Sequence, residues 1–258
     1  MSDLDIERLR EELSQRVIGC QVRYYESLGS TMDEASRLAQ DGAPEGTVIV
    51  AEEQTAGRGR FSRSWIGPAG ENLTFSVMLR PSLAQLRYMN MAATLAVSRA
   101  VSELTGREAT LKWPNDVRID RRKISGILVE SAVEGGEVSY AVVGIGLNAN
   151  FDPSLYPEIA GTATSVASVL GRPVDRTELL LAVLESFDDL YGSVRAGESL
   201  TALWASRMDM LGALVEVHSE SEVILGRARG VDEEGNLLIA KTDGSTVSVV
   251  AGDVTLSR

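Results

Sequence analysis

The chain has 258 residues, 37 acidic against 25 basic for a formal charge of −12, and 44% of it is hydrophobic. This is the composition of a globular protein with a substantial core, and its acid excess argues against nucleic-acid binding, which needs a basic face. The single cysteine, Cys20, and the single histidine, His218, exclude an intrachain disulfide, a zinc cluster and a multi-histidine metal site, and they strain any Cys–His couple.

The first ten residues are charged throughout, without the apolar stretch of a signal peptide. No segment reaches the roughly 20 apolar residues of a membrane span. A cytoplasmic protein is expected. Leu4, Ile6, Leu9, Leu13 and Val17 recur near helical spacing and predict a helix over 4–17. A strand follows at Val22–Glu26, then a helix opened by a Thr31/Glu34 capping box and closed by Gly42. Thr47–Ala51 and Leu73–Leu79 read as strands, and a long helix is expected from Leu83 to Leu104, ended by Gly106.

Further strands are predicted at 109–113, 117–120, 123–134 and 137–149, the last two joined by Gly135-Gly136. Asp175 should cap a helix running to Val194, and another covers 199–208. From Val215 the period shortens into β-branched runs broken by Asp232–Asn236 and Asp243–Ser245, the signature of a small antiparallel barrel or sandwich. The expected architecture is α+β, divided into 1–212 and 213–258.

Three stretches carry chemistry. Gln54–Ile66 holds three arginines (Arg58, Arg60, Arg63), two glycines and no acid, in a chain of net charge −12. Glycine lets backbone approach a ligand closely, and guanidinium forks match carboxylate and phosphate oxygens. The same pattern also fits a solvated basic turn or an Arg-Gly RNA patch. In Lys112-Trp-Pro-Asn-Asp116, Pro114 halts a strand and sets Asn115 and Asp116 at its lip. Lys123 opens the next strand, whose Gly126 leaves room for something to lie flat on the sheet. A basic hairpin turn is the reading for Arg121 and Arg122, and both readings stay open for Lys123.

Gly144-Ile-Gly-Leu-Asn-Ala149 superficially fits a dinucleotide fingerprint, but Asp152–Pro157 cannot be the helix that fingerprint needs. Its glycines point instead to close backbone approach, with Asn148 offering a donor and an acceptor. Ser30-Thr31 reads first as a helix cap, Cys20 as inert, and His218 as structural or surface. Trp65, on a Gly/Arg loop, suits core packing or stacking on a planar ligand.

In this order the motifs resemble the biotin–protein ligases, from about Tyr24 to Asn150. The resemblance is carried by Ser30-Thr31, Gln54-x-x-Gly-Arg-Gly-Arg60, Lys112-Trp-Pro-Asn-Asp116 with Lys123-x-x-Gly-Ile-Leu-x-Glu130, and Gly144-Ile-Gly-x-Asn148. It implies a mixed sheet with helices packed on one side, of the class II synthetase or biotin-ligase kind, plus a small C-terminal SH3-like barrel. It also implies ATP-dependent formation of biotinyl-5′-AMP, then transfer of biotin to one lysine of a biotin carboxyl carrier domain, with Mg²⁺ on the triphosphate.

By the resemblance, Ser30, Thr31, Met32, Gln54, Arg58, Gly59 and Arg60 would hold biotin over Gly126. Lys123 and Arg60 would be catalytic, bridging carboxylate and α-phosphate. Lys112, Asn115 and Asp116, with Arg58, Arg60 and Lys123, would organise ATP. Trp65 and Asn148 would contact adenine, beside a loop at Ala163–Ser165. Two positions depart from the family pattern: Met32 stands where members commonly have Asn, and Ser62-Arg63 where the loop often continues Gly-Arg. Only 29 residues precede Ser30, too few for the DNA-binding module that makes some members repressors, so that role is not expected. Homodimers are common among such proteins. Lipoate attachment and non-catalytic biotin sensing are the alternatives.

Overall fold

The computed structural model describes residues 4–62, 65, 67–219 and 222–256. Its elements run α1 (Ile6–Glu12), β1 (Gln21–Leu28), α2 (Thr31–Gln40), β2 (Thr47–Gln54), β3 (Leu73–Leu79), α3 (Leu83–Leu86), α4 (Tyr88–Thr105), β4 (Thr110–Lys112), β5 (Asp116–Ile119), β6 (Arg122–Glu134), β7 (Glu137–Leu147), α5 (Val166–Leu170), α6 (Arg176–Arg195), α7 (Thr201–Ser206), β8 (Leu214–His218), β9 (Val223–Val231), β10 (Leu237–Ala240), β11 (Thr246–Val249) and β12 (Asp253–Leu256).

Three expectations need correcting. The first helix stops at Glu12 rather than continuing to Val17; Leu13 is buried as its C-cap, so the apolar spacing persists where helix does not. Ser30, not Thr31, caps α2: its backbone is extended (φ −153°, ψ 135°) and its hydroxyl accepts from the Met32 N–H. Glu34 binds the Tyr25 hydroxyl and Arg37 instead of closing a capping box. Third, the long helix is two pieces separated by Arg87. Its predicted terminator holds, since Gly106 is left-handed (φ 65°), a conformation cheap only for glycine.

Asp175 caps α6 as expected, accepting from the N–H groups of Thr177 (2.8 Å) and Glu178 (3.2 Å). Asp175→Ala should therefore cost about 1 kcal/mol, measured by denaturant unfolding, and an unchanged midpoint would refute this role.

The large sheet has the order β1-β2-β3-β7-β6-β5-β4. Only β1 and β2 run parallel; the other neighbours are antiparallel. Strand periodicity sends Val48, Val50, Phe75, Val77 and Ile145 to one face, where α1, α4 and α6 build the main core. Most helical mass lies there. On the other face α2 alone packs on Ile49 and Val142 through Met32 and Ala35. Beyond α2 that face carries Thr74, Gly144, Gly146 and Gly126, which share register pairs and leave the sheet low.

The second sheet is five-stranded and antiparallel, β11-β10-β9-β8-β12, consistent with an SH3-like module. Its β9–β10 turn accepts the indole N–H of buried Trp113 at the Gly235 carbonyl, 3.0 Å away. Among the described residues no helix is long and apolar enough to cross a membrane.

Candidate active site

A cavity of about 250 Å³ lies on the glycine-bearing face of the large sheet. Most of the residues that the motifs singled out line it: Ser30, Thr31, Met32, Gln54, Arg58, Gly59, Arg60, Trp65, Lys112, Asn115, Asp116, Lys123, Gly126 and Asn148. They come from the first turn of α2, the end of β2, the loop after it, the β4–β5 hairpin and the facing ends of β6 and β7.

The floor exists because three strand positions lack side chains. A Cβ on Gly146 would stand 2.3 Å from Trp65 Cε2, and one on Gly144 2.7 Å from Met32 Sδ. One on Gly126 would meet Lys123 Nζ at 2.8 Å. The indole of Trp65 thus lies directly on the Gly146 backbone, and the lysine amine over Gly126. Met32, where the family pattern has a polar residue, presents a thioether to Gly144 and joins the apolar cluster under α2.

One end of the cavity is a hydroxyl–amide network. The backbone N–H of Thr31 can only donate, which fixes the Gln54 atom facing it as Oε1 (2.7 Å). The Thr31 hydroxyl donates to the same oxygen (2.9 Å) and so accepts from buried Ser76 (2.8 Å). The Gln54 carboxamide is held by its oxygen, which leaves its two N–H donors for a ligand acceptor.

The other end is cationic, and each cation is held by a partner. Arg58 makes a two-pronged pair with Asp33 in the first turn of α2 (2.7 and 3.0 Å), which holds its guanidinium pKa above the ordinary value. Arg60 donates to the Gly252 carbonyl (3.3 Å) and stacks on Phe61. Lys112 pairs with Asp253 (3.1 Å) and Lys123 with Asp116 (2.6 Å), the Lys123 ammonium standing 5.7 Å from the centroid of the Trp65 ring. Lys112 and Asp116 are themselves cross-strand neighbours. The charges therefore alternate in sign along a row, so an entering polyanion exchanges partners with the lysines rather than meeting bare charge.

Two predicted residues are partly committed elsewhere. Asn115 brackets Ile127, accepting its N–H and donating its side-chain amide to the Ile127 carbonyl. Asn148 is buried and donates to the Thr164 carbonyl (2.9 Å), which leaves its Oδ1 as an acceptor. Residues 162–164 run alongside Lys123, bonding its N–H and carbonyl at 2.8 Å each, so the Ala163 segment borders the lysine. Arg63 lies outside the described residues. Arg121 (φ 63°) sits in the exposed hairpin turn, as its basic-turn reading expected.

Several contributors escaped sequence reasoning. Asp253 lines the cavity from β12, and its Gly252-Asp253 dipeptide reads only as a turn. Asp33, the partner of Arg58, is a first-turn acid of α2 that no motif marks. Thr74 and Ser76 did leave a signal: two polar residues two apart in an otherwise apolar strand mark a face that meets something polar.

An arginine-rich loop and a lysine row over a glycine floor make a site suited to a flat ligand with anionic groups. The comparisons narrow it. Residues 24–148 match the biotin/lipoate A/B protein ligase family and residues 211–257 match the biotin protein ligase C terminal domain. The "Bifunctional ligase/repressor BirA" of Bacillus subtilis (strain 168) is 34% identical over 241 residues, 92% of this chain and 74% of that protein. The "Biotin--[acetyl-CoA-carboxylase] ligase" of Mycobacterium tuberculosis is 33% identical over 269 residues, 97% of this chain and 98% of that one. Among solved structures, "Biotin protein ligase from Aquifex aeolicus in complex with biotin and ATP" superposes with a TM-score of 0.78 at 32% identity, covering 92% of this chain and 99% of that one. The chain belongs to the biotin/lipoate A/B protein ligase family.

Proposed function

We infer that the protein is an ATP-dependent biotin–protein ligase, forming biotinyl-5′-AMP and transferring biotin to a lysine of a biotin carboxyl carrier domain. The carrying observation is one cavity with a hydroxyl–amide network at one end and paired lysines and arginines at the other, on a floor of glycines. In the first step a biotin carboxylate oxygen bonds to the α-phosphorus and pyrophosphate leaves. In the second, the acceptor ε-amine attacks the acyl carbon, AMP leaves, and the amine loses a proton. Neither step needs a histidine base or a cysteine nucleophile. The protein must position reactants and neutralise charge that develops on phosphate.

In this reading Ser30, Thr31, Gln54 and Gly59 hold the ureido ring and carboxylate, with Gly126 beneath and Met32 as an apolar wall. Lys123 and Arg60 are the catalytic residues, drawing carboxylate and α-phosphate together. Arg58, Lys112, Asn115 and Asp116 organise the phosphates. Trp65 stacks on adenine, and Asn148 Oδ1 accepts from its exocyclic amine. Two carboxylates in the cavity, Asp116 and Asp253, suit a Mg²⁺ held mainly by phosphates and waters; bound there it would neutralise triphosphate charge. The division at 212/213, a cytoplasmic location, a homodimer and the lack of a nucleic-acid partner belong to the same reading.

The test is incubation of the purified protein with biotin, Mg-ATP and an apo carrier domain. One labelled lysine is expected, with lipoate failing to compete. Labelling by lipoate in preference to biotin, or biotin binding without ATP consumption, would overturn the reading.

A further inference from the structure

Outside the cavity lining lies a buried charge that no motif includes. Arg176, the first residue of α6, is 1% exposed, and its guanidinium forks onto Glu52 of β2 (2.9 and 3.2 Å). The same Nη1 donates to the Asn72 carbonyl (2.9 Å). Asn72, itself buried, accepts the Ala149 N–H on its side-chain oxygen (3.1 Å). Asn150 adds a second tie, its side chain bonding both the N–H and the carbonyl of Val174.

Each group stands next to a site residue. Glu52 is two residues before Gln54 and the arginine loop, and Ala149 directly follows Asn148. Asn72 immediately precedes the strand that carries Thr74 and Ser76. The ends of β2 and β3 are therefore fastened to one guanidinium, on a helix that contributes nothing to the cavity lining, and the end of β7 is tied to them through the Asn72 side chain. Asn72 Nδ2 is buried and has no partner, and it lies 3.3 Å from where a Cβ on Gly67 would stand, under the loop itself.

A buried ion pair is weak evidence for stability, because desolvation offsets much of the attraction; well-packed apolar replacements are often neutral or stabilising. What such a pair supplies well is a fixed geometry, since a bidentate guanidinium–carboxylate pair tolerates little displacement.

We propose that Arg176, with Glu52 and Asn72, is a positioning network for ligation, setting where the strand ends that present Gln54 and Asn148 stand. The proposal rests on the ligase reading above. The network touches no substrate and acts through those two residues.

The test compares Arg176→Met, the double variant Glu52→Leu/Arg176→Met and the uncharged Asn72→Ala with wild type, by biotin-dependent pyrophosphate exchange and thermal unfolding. Arg176→Met alone strands a buried carboxylate and should be markedly destabilised. The double variant should recover most of the wild-type melting temperature, yet keep KM for biotin and for ATP raised by about tenfold or more, because misplacing groups by even an ångström is costly. Asn72→Ala should raise the ATP KM by a comparable factor while remaining folded, and it decides the matter if the charge variants do not fold. Arg176→Lys, which keeps charge but loses the fork, should fall between wild type and Arg176→Met in KM.

A double variant that recovers stability and wild-type KM values together would reduce the network to a structural brace and overturn the proposal. So would wild-type KM values in Asn72→Ala. Lack of exchange in wild type would instead refute the ligase reading.

Discussion

Replacing Lys123 by alanine lowers the rate of adenylate formation by roughly 10²–10³-fold, the usual loss when one preorganised group facing developing charge is removed. The ammonium lies over Gly126 on the cavity floor, paired with Asp116 at 2.6 Å. It stands between the hydroxyl–amide end and the Lys112–Asp253 pair, 5.7 Å from the Trp65 ring centroid. The substitution should leave the fold intact, because Lys123 is fixed through its backbone to residues 162–164 and its side chain is partly exposed. Arg122→Ala, on the exposed residue beside it, is the control and should keep wild-type rates. Single-turnover formation of biotinyl-5′-AMP separates this effect from binding. A wild-type rate in Lys123→Ala would remove the residue from the mechanism.

The second large effect comes from the floor. Gly146→Val places branched carbon where Trp65 Cε2 already stands 2.3 Å from a single added Cβ. Overpacking of this kind costs up to about 3 kcal/mol; where the indole yields by moving into the cavity, the cost falls on the ligand it displaces, and that energy is roughly a hundredfold in Kd. The side chain would project into the cavity rather than into the core, since Gly146 shares its face with Gly126 and Thr74 while neighbouring Ile145 and Leu147 face the other way. Biotin titration by calorimetry should show the loss with little change in melting temperature. Unaltered biotin affinity in a folded Gly146→Val protein would show that biotin does not use this floor.

Much of the site was readable because its residues sit in short, contiguous motifs with the punctuation their conformations require. Pro114 ends β4 and leaves Asn115 and Asp116 at the rim. Gly126, Gly144 and Gly146 stand out in strands that have no other reason to lose side chains. The acid-free arginine run stood out against an acidic chain. The strand at Leu73–Leu79 and the cap of α6 were equally direct.

What escaped was long-range pairing. Lys112 announces a charge, but nothing near it announces Asp253, 141 residues later. The Asp33 partner of Arg58 is 25 residues away and looks like a normal helix-start acid. The Glu52–Arg176 pair spans 124 residues and joins two positions with no motif at all. The overlong first helix failed for a different reason: Leu13 and Ile18 are buried through turns, and burial alone keeps the apolar spacing alive. The C-terminal sheet read as an appendage, yet it supplies the partners of Arg60, Lys112 and Trp113 at Gly252, Asp253 and Gly235.

The most direct test is ATP–pyrophosphate exchange in the absence of any acceptor protein. Labelled pyrophosphate should enter ATP only when biotin and Mg²⁺ are both present, because the return step requires an enzyme-held biotinyl adenylate. Exchange that lipoate supports and biotin does not, or no exchange with biotin at all, would contradict the assignment of this cavity to biotin activation.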